Sequence, residues 1–504
     1  MPDPRHIPVI VGVGQLRHNR ERTVADAREP LELMLDAVAL AAADAGVPQL
    51  PAHADSIDVV NVVSWSYDDL PGLVAQRVGA DPQHRQYTPV GGQWPARLLD
   101  AAAARIAAGE STIALLVGGE AQSSTGALAK AGVDPVQDCG WSAAPGGPAA
   151  FDPELLGGPE NQAAGLILPT RVYPLFDNAL SHQLGQSPDE ATAWSAEIYA
   201  AFSAEAAANP AAWNPVQRSA EDIATVTPGN RMISEPYPLS MNANPQVDQG
   251  AAVIMTSLAA AREHGVAEDK LVYVWGGAGA DQAEEHLRRD GFTDSPAMAA
   301  AFERTLSQAG VHADDLDIVD IYSCFPVVPK LASIALDLPR DASLSVTGGH
   351  SAFGGPMNTY TLFAAVSITQ RLRTEPGLAL LHGNGGFVTY QHAVLLSDAP
   401  HAQGYVGNPE PVRIESANAP AIIAPVSGTV TVETATVEHG RDGKPATGFL
   451  VARTADGARF AAQTAPGDTA SAEALSMGEP GERREVVGRT VTVEVDGAHV
   501  RISS

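Results

Sequence analysis

Over the first 400 residues, short unbroken apolar runs alternate with stretches in which apolar positions recur at helical period. The segment Pro89–Gln122, "PVGGQWPARLLDAAAARIAAGESTIALLVGGEAQ", predicts a glycine turn, a helix entered through Pro95 and a buried strand over Ser111–Val117. Strands with no polar alternation suit a sheet covered on both faces. Near residue 410 the pattern changes to period two: "GTVTVETATVEHG" (Gly428–Gly440) and "RTVTVEVDGAHVRIS" (Arg489–Ser503) alternate, and Asp442-Gly443, Asp456-Gly457 and Asp496-Gly497 supply hairpin turns. This tail is predicted to be a small all-β domain, a barrel. Between residues 122 and 245 the chain is rich in Pro, Gly, Trp and Asn, with helical patches such as Asp189–Asn209. An irregular insertion of that length usually covers a site rather than adding core.

The apolar runs also repeat. "HADSIDVVNVVS" (His53–Ser64) matches "HADDLDIVDIYS" (His312–Ser323), each after an alanine-rich helix ending in "DAGV" (Asp44–Val47) or "QAGV" (Gln308–Val311). "IALLVGG" (Ile113–Gly119) matches "LALLHGN" (Leu378–Asn384), each after a helix and a glycine pair, Gly91-Gly92 or Gly354-Gly355. The two offsets, 259 and 265 residues, are similar and the order is the same, which points to duplication. The copies read as strand, helix, strand, helix, strand over residues 8–121 and 250–398.

Composition narrows the function classes. With 59 acidic and 31 basic residues the formal net charge is -28, a field that repels phosphate backbones, so no nucleic-acid partner is expected. Within the tail, Phe449–Thr464 offers Arg453 and Arg459 beside two phenylalanines, too little for a single-strand-binding face. Cys139 and Cys324 form neither a disulfide framework nor metal-site spacing, and no metal is expected. The first 14 residues lack a basic stretch followed by an apolar core, and no apolar run approaches the roughly 18 residues of a membrane span, so a cytoplasmic protein without a membrane partner is expected.

A duplicated α/β unit interrupted after its first copy resembles the thiolase superfamily over residues 7–398, and the extra β tail at 410–504 is similar to that of thiolase-like protein type 1, a subgroup related to the sterol-carrier-protein thiolases. The resemblance implies an α/β fold class with two βαβαβαββ halves in five αβαβα layers, an inserted loop domain and a small OB-like C-terminal β-barrel. The implied boundaries are 1–121 with 246–270 for the N-terminal half, 122–245 for the loop domain, 271–400 for the C-terminal half and 410–504 for the barrel. It further implies a CoA thioester as ligand or substrate with no other cofactor, and a monomer or a homodimer paired through the strand near His84–Val90.

In thiolases four loops carry the chemistry. Counting back from "VGGE" (Val117–Glu120), the nucleophilic cysteine falls at Gly92. The second loop becomes "YSCF" (Tyr322–Phe325), the Gly-His-Pro loop "GGP" with Gly355 in the middle, and the Cys-x-Gly loop "HGNGG" with His382 near the second cysteine's place. A thiolase needs a thiolate, an imidazole to activate it and an acid/base. Gly92 and Gly355 supply neither of the first two, so the classical acetyltransferase reaction is not expected. The helix after Gly92 can still polarise a thioester oxygen with its N–H groups, or Gly91-Gly92 simply turns the chain. Tyr322 reads as an acid/base or a packing aromatic, and Cys324 as a site thiol or a small buried hydrophobe. His350 and His382 are further catalytic candidates, Asn384 and Gly385 further oxyanion donors, and His392 reads as a core histidine. "VGVGQ" (Val11–Gln15) and "GNGG" are no nucleotide fingerprint, because a strand follows "GNGG". The function expected is acyl-CoA binding within the acyltransferase superfamily, with carbon–carbon chemistry that forms no acyl-cysteine, such as a retro-aldol with Tyr322 as acid/base. The alternative is a non-catalytic acyl-CoA-binding scaffold.

Overall fold

In the computed structural model, which describes residues 2–18, 23–149 and 157–503, both copies of the repeat build the same kind of sheet. The first contributes β1 (Pro8–Arg17), α1 (Pro30–Asp44), β2 (Ser56–Val59), α2 (Leu70–Val78), β3 (His84–Tyr87), α3 (Trp94–Ala108), β4 (Ile113–Ala121) and, after the insertion, β5 (Asp248–Ser257). Their order across the sheet is β3-β2-β4-β5-β1. The second contributes β6 (Val272–Asp281), α4 (Pro296–Ala309), β7 (Ile318–Asp320), α5 (Val327–Ala335), α6 (Tyr360–Leu372), β8 (Leu378–Gly385) and β9 (Tyr390–Ser397), with strand order β7-β8-β9-β6. The parallel pair β2/β4 and the antiparallel pairs β4/β5 and β5/β1 recur as β7/β8, β8/β9 and β9/β6. The second copy lacks the outermost strand. In its place the Ile321 N–H donates to the Leu344 carbonyl at 2.9 Å, and one oxygen of Asp320 accepts from Ser345 Oγ, Val346 N and Thr347 N at 2.8, 2.9 and 3.0 Å.

The strand predicted over Ser111–Val117 runs as β4 from Ile113, because the Asp55 carboxylate holds Ser111 and Thr112 outside the ladder. All nine residues of β4 are buried, as the unbroken apolar run requires. Helices α3 and α6 pack against strands of both copies and form the middle layer, and α6 is buried continuously from Tyr360 to Thr369. Helix α1 lies on the outer face of the first sheet and α4 on that of the second. A Cβ at Gly12 would sit 2.9 Å from Ala45 Cβ, and one at Gly14 2.7 Å from the Ala41 nitrogen, so "VGVG" lets α1 lie close on β1. β1 pairs with β5 along one edge and with β6 along the other, at Val9↔Tyr273 and Ile10↔Val272. With β10 (Asn408–Arg413) beside β6, the two copies form one ten-stranded sheet.

The tail contributes β11 (Gly428–His439), β12 (Pro445–Arg453), β13 (Arg459–Gln463), α7 (Thr469–Leu475), β14 (Thr490–Asp496) and β15 (His499–Ser503). Their order is β13-β12-β11-β14-β15, and a bridge between Thr464 and Val500 brings the two ends together around a separate apolar core. Gly443, Gly457 and Gly497 take positive φ of 79°, 86° and 63° at the three Asp-Gly turns. Arg459 is fully buried: Nη1 donates to the Leu287 and Arg289 carbonyls at 2.6 Å each, Nη2 to the Asp290 carbonyl at 3.1 Å, and Glu433 pairs with it. Arg453 also pairs with Glu433. Both arginines of the tail segment are therefore engaged within the protein.

The insertion carries the helices Pro169–Gln183 and Pro188–Ala208, the second opened by a reciprocal Ser187–Glu190 capping box. It joins the tail through the Ser234↔Glu438 bridge and through Glu235, whose carboxylate accepts from His439 Nε2 at 2.8 Å, Ser476 Oγ at 2.6 Å and Met477 N at 2.7 Å. Among the described residues no helix is long and apolar enough to cross a membrane, and no group of side chains could hold a metal ion.

Candidate active site

Four segments of the chain meet at the first turn of α3. Gly91 has φ of +150° and donates its N–H to Asn358 Oδ1 at 2.9 Å, while the Gly92 carbonyl accepts from Thr361 Oγ1 at 3.0 Å. Period-two alternation along β8 turns Gly383 and Gly385 toward this helix. A Cβ on Gly383 would lie 2.9 Å from Gln93 Cα, so the strand leaves no room for a side chain there, and one on Gly385 would displace the Gln93 amide, whose Cδ it would approach to 2.7 Å. A Cβ on Gly92 would lie 2.6 Å from the Asn384 carbonyl oxygen and from Tyr322 Cζ, and closer still to the Tyr322 hydroxyl. The phenol of Tyr322 thus fills the space that a side chain at position 92 would need.

Tyr322 and His350 are brought together: their rings are 4.2 Å apart, and His350 stacks on Tyr360 at 3.6 Å. His350 Nδ1 is 3.3 Å from Ser323 Oγ, and its buried Nε2 has no partner among the described residues. Burial, with Cys324 close by, pushes the Tyr322 hydroxyl well above its ordinary pKa, and burial pulls His350 well below its own. At neutral pH the pair is a phenol and a neutral imidazole. Tyr322 can donate a hydrogen bond; it cannot act as a phenolate base. Burial likewise pushes the Cys324 thiol up to about 12, against a hydrogen bond shared with Tyr173, so no thiolate forms there.

His382 and Asn384 lie on the other face of β8. The His382 ring meets Phe302 edge-on at 4.9 Å, and its Nε2 bonds Gln391 Oε1 at 2.9 Å, with burial lowering its pKa to about 4. Gln391 donates to Asn384 Oδ1 at 2.7 Å, Asn384 Nδ2 to Tyr173 Oη at 3.1 Å, and Tyr173 to the Gly386 carbonyl at 2.7 Å. The Asn384 amide is therefore engaged at both ends, and only its backbone carbonyl reaches Gly92. The Gly355 N–H donates to the Asn244 carbonyl at 2.8 Å, which leaves it no donor for a ligand in this arrangement.

Residues 409–498 match the family model described as thiolase-like protein type 1 additional C-terminal domain. Over the full chain, a solved structure of a monomeric SCP2-thiolase like protein type 1 from Mycobacterium smegmatis is 32% identical, covers 99% of each chain and superposes with a TM-score of 0.81. The chain belongs to the SCP2-thiolase-like proteins of type 1. This type 1 thiolase-like protein is also 27% identical over 193 residues to an acetyl-CoA acetyltransferase of Methanothermobacter thermautotrophicus, spanning 35% of its own length and about half, 48%, of that relative. The solved Ltp2-ChsH2(DUF35) aldolase is 19% identical, with 78% of this chain and 98% of that one covered at a TM-score of 0.57, a likeness of fold.

Two depressions open in the type 1 thiolase-like protein, the second of them beside the meeting point. A groove of about 370 Å³ lies between the insertion and the Gly349–Phe353 turn, walled by Arg218, Asn242, Asn244, Gln246, Gly349 and Ser351. A cleft of about 520 Å³ opens beside the first turn of α3, with Asn61, Val90, Gln93, Trp94, Arg97 and His392 on its walls. His392, read as a core histidine, is buried as expected, but it also faces this cleft. Tyr173 and Gln391 were not singled out from sequence. Tyr173 lies in the insertion with no motif around it. Gln391 becomes visible only through the hairpin register that pairs it with Asn384.

Proposed function

We propose that this protein binds an acyl-CoA thioester and handles it without an acyl-enzyme. One observation carries the reading: the Tyr322 phenol lies where a nucleophile on residue 92 would have to stand, and the nearest thiol, Cys324, stays protonated. The ligand class is supported by the acetyl-CoA acetyltransferase relative, of which the chain spans about half. We assign the CoA moiety to the 370 Å³ groove, where exposed Arg218 supplies a cation for phosphate and the asparagines supply amides for pantetheine.

A second reading adds chemistry. The Tyr322 hydroxyl has no hydrogen bond among the described residues, so it is free to donate to a thioester oxygen as that oxygen gains charge. A retro-aldol cleavage needs such a donor, and the Ltp2-ChsH2(DUF35) aldolase shares the fold. Titration calorimetry with CoA and acyl-CoAs, alongside intact-mass spectrometry, tests the primary reading. The expected results are one-to-one binding with a Kd below about 1 mM, weakened roughly tenfold by Arg218→Ala, and no mass gain on the protein. Absence of binding at millimolar concentrations overturns the ligand, and an acyl adduct overturns the non-covalent handling.

A further inference from the structure

The first turns of α3 carry a stripe, Trp94, Arg97 and Asp100, that faces Tyr390 and His392 on β9. Asp100 is fully buried within this stripe and saturated on one oxygen, whose donors are Gly277 N at 2.9 Å and Tyr405 Oη at 2.7 Å. Its other oxygen, Oδ2, lies 3.0 Å from His392 Nε2. That contact fixes the tautomer: Nε2 carries the hydrogen toward the carboxylate, and Nδ1 keeps its lone pair. Nδ1 lies over Gly279, where a Cβ would stand 2.6 Å away, and has no partner among the described residues. The imidazole forms part of the wall of the 520 Å³ cleft. A carboxylate-oriented histidine in the wall of a cavity is an arrangement suited to a general base.

The cleft walls also define what it can hold. Val90, Trp94 and Pro411 are apolar, while Asn61, Gln93 and Arg97 are polar and gather at the start of α3. Arg97 lies over the Trp94 ring at 5.0 Å and pairs at 3.0 Å with Glu410, a side chain 78% exposed. An exposed pair of this kind contributes little and yields readily to a ligand oxygen. Helix α3 points its positive end into the same space.

We propose that this cleft holds the hydroxyl-bearing acyl part of a 3-hydroxyacyl thioester and that His392, oriented by Asp100, is the proton acceptor for that hydroxyl. The proposal rests on the retro-aldol reading above and supplies the base that Tyr322, held protonated, cannot be. The hydroxyl proton passes to Nδ1, and the oxygen's electron pair becomes the carbonyl of the released product. The Cα–Cβ bond breaks and its pair moves onto the thioester carbonyl as an enolate. The imidazolium then returns its proton to Cα, giving a shortened acyl thioester. Water, metal and oxidant take no part in this balance.

The test incubates the full-length protein with a 3-hydroxyacyl-CoA and with the matching acyl-CoA that lacks the hydroxyl, and follows shortened acyl-CoA by mass spectrometry. Product is expected only from the hydroxylated ester. His392→Gln keeps an amide donor for Asp100, and is expected to lower turnover at least 100-fold while leaving the melting temperature and acyl-CoA affinity near wild type. Val90→Trp fills the cleft from an exposed rim position and is expected to abolish turnover even if His392→Gln folds poorly. Wild-type protein that binds both esters and cleaves neither overturns this proposal and leaves the binding reading standing. So does a well-folded His392→Gln protein with undiminished turnover, or unaffected turnover in Val90→Trp. Failure of wild type to bind any acyl-CoA removes the underlying reading instead.

Discussion

Gly92 shows how little room the fold leaves at a single position. A Cβ there would overlap the Tyr322 hydroxyl and come within 2.6 Å of the Asn384 carbonyl, and the latter is backbone on a buried strand that cannot move aside cheaply. Gly92→Cys is therefore expected to destabilise the protein by about 1–3 kcal/mol, read as a lower urea midpoint with unchanged slope. Tyr322→Ala opens the space on one side, so the double variant should lose less than the sum of the two single changes. Strict additivity would show that the two residues do not compete for one volume. A sulfur placed at residue 92 is not expected to form an acyl-enzyme, because burial pulls the pKa of His350, the imidazole beside Tyr322, well below its ordinary value and makes it a weak proton acceptor.

At the level of elements, the second copy keeps the strand order of the first but replaces its outer strand with a segment held by a side chain. Asp320, at the end of β7, is fully buried, accepts three hydrogen bonds on one oxygen and has no partner on the other among the described residues. Burial raises its pKa from 3.8 to about 6 despite those bonds. Between these two values the folded chain binds a proton that the unfolded chain has released, so this group's contribution to stability falls as pH rises from about 4 to about 6 and stays lower above that. Asp320→Asn keeps the accepting oxygen and removes the charge. It is expected to flatten that limb, leaving the variant about 2 kcal/mol more stable than wild type at pH 7.5 and near wild type at pH 4. Urea titrations at the two pH values check this; an unchanged slope would show Asp320 ionised without penalty. Glu120, raised to about 7 by burial, accounts for a residual slope in both proteins. The duplication was legible in sequence because strands buried on both faces keep their apolar runs. The missing strand was not, since "SLSVTGG" does not show that a carboxylate replaces its ladder. Tyr322 and Gly92 could be singled out from their loop motifs, and the structure brings them against each other. For His382 and Asn384 the sequence does not show that "HGNGG" continues the strand as far as Gly385, with a parity that sends both side chains away from α3.

Across the whole molecule, one buried cation ties the tail to the second copy, beside the contacts that tie it to the insertion. Arg459 reaches out of β13 to three carbonyls of the turn at residues 287–290, and Arg289 in that turn donates to the Phe387 carbonyl at 2.7 Å and to Thr389 Oγ1 at 2.8 Å, just past the last site glycines. Arg459→Met strands those carbonyls and should cost about 3–5 kcal/mol. Limited proteolysis should then cut the exposed connection between Ile414 and Ser427 at least tenfold faster than in wild type. Equal cleavage rates would mean that the insertion's contacts hold the tail without Arg459. The largest consequence lies in β1, whose two edges are bonded to different copies of the repeat. Prising the copies apart would break the main-chain pairing of Val9 with Tyr273 and of Ile10 with Val272, which works against a hinge between them. The two copies are therefore expected to behave as one stiff body, with any give confined to segments that do not share this sheet.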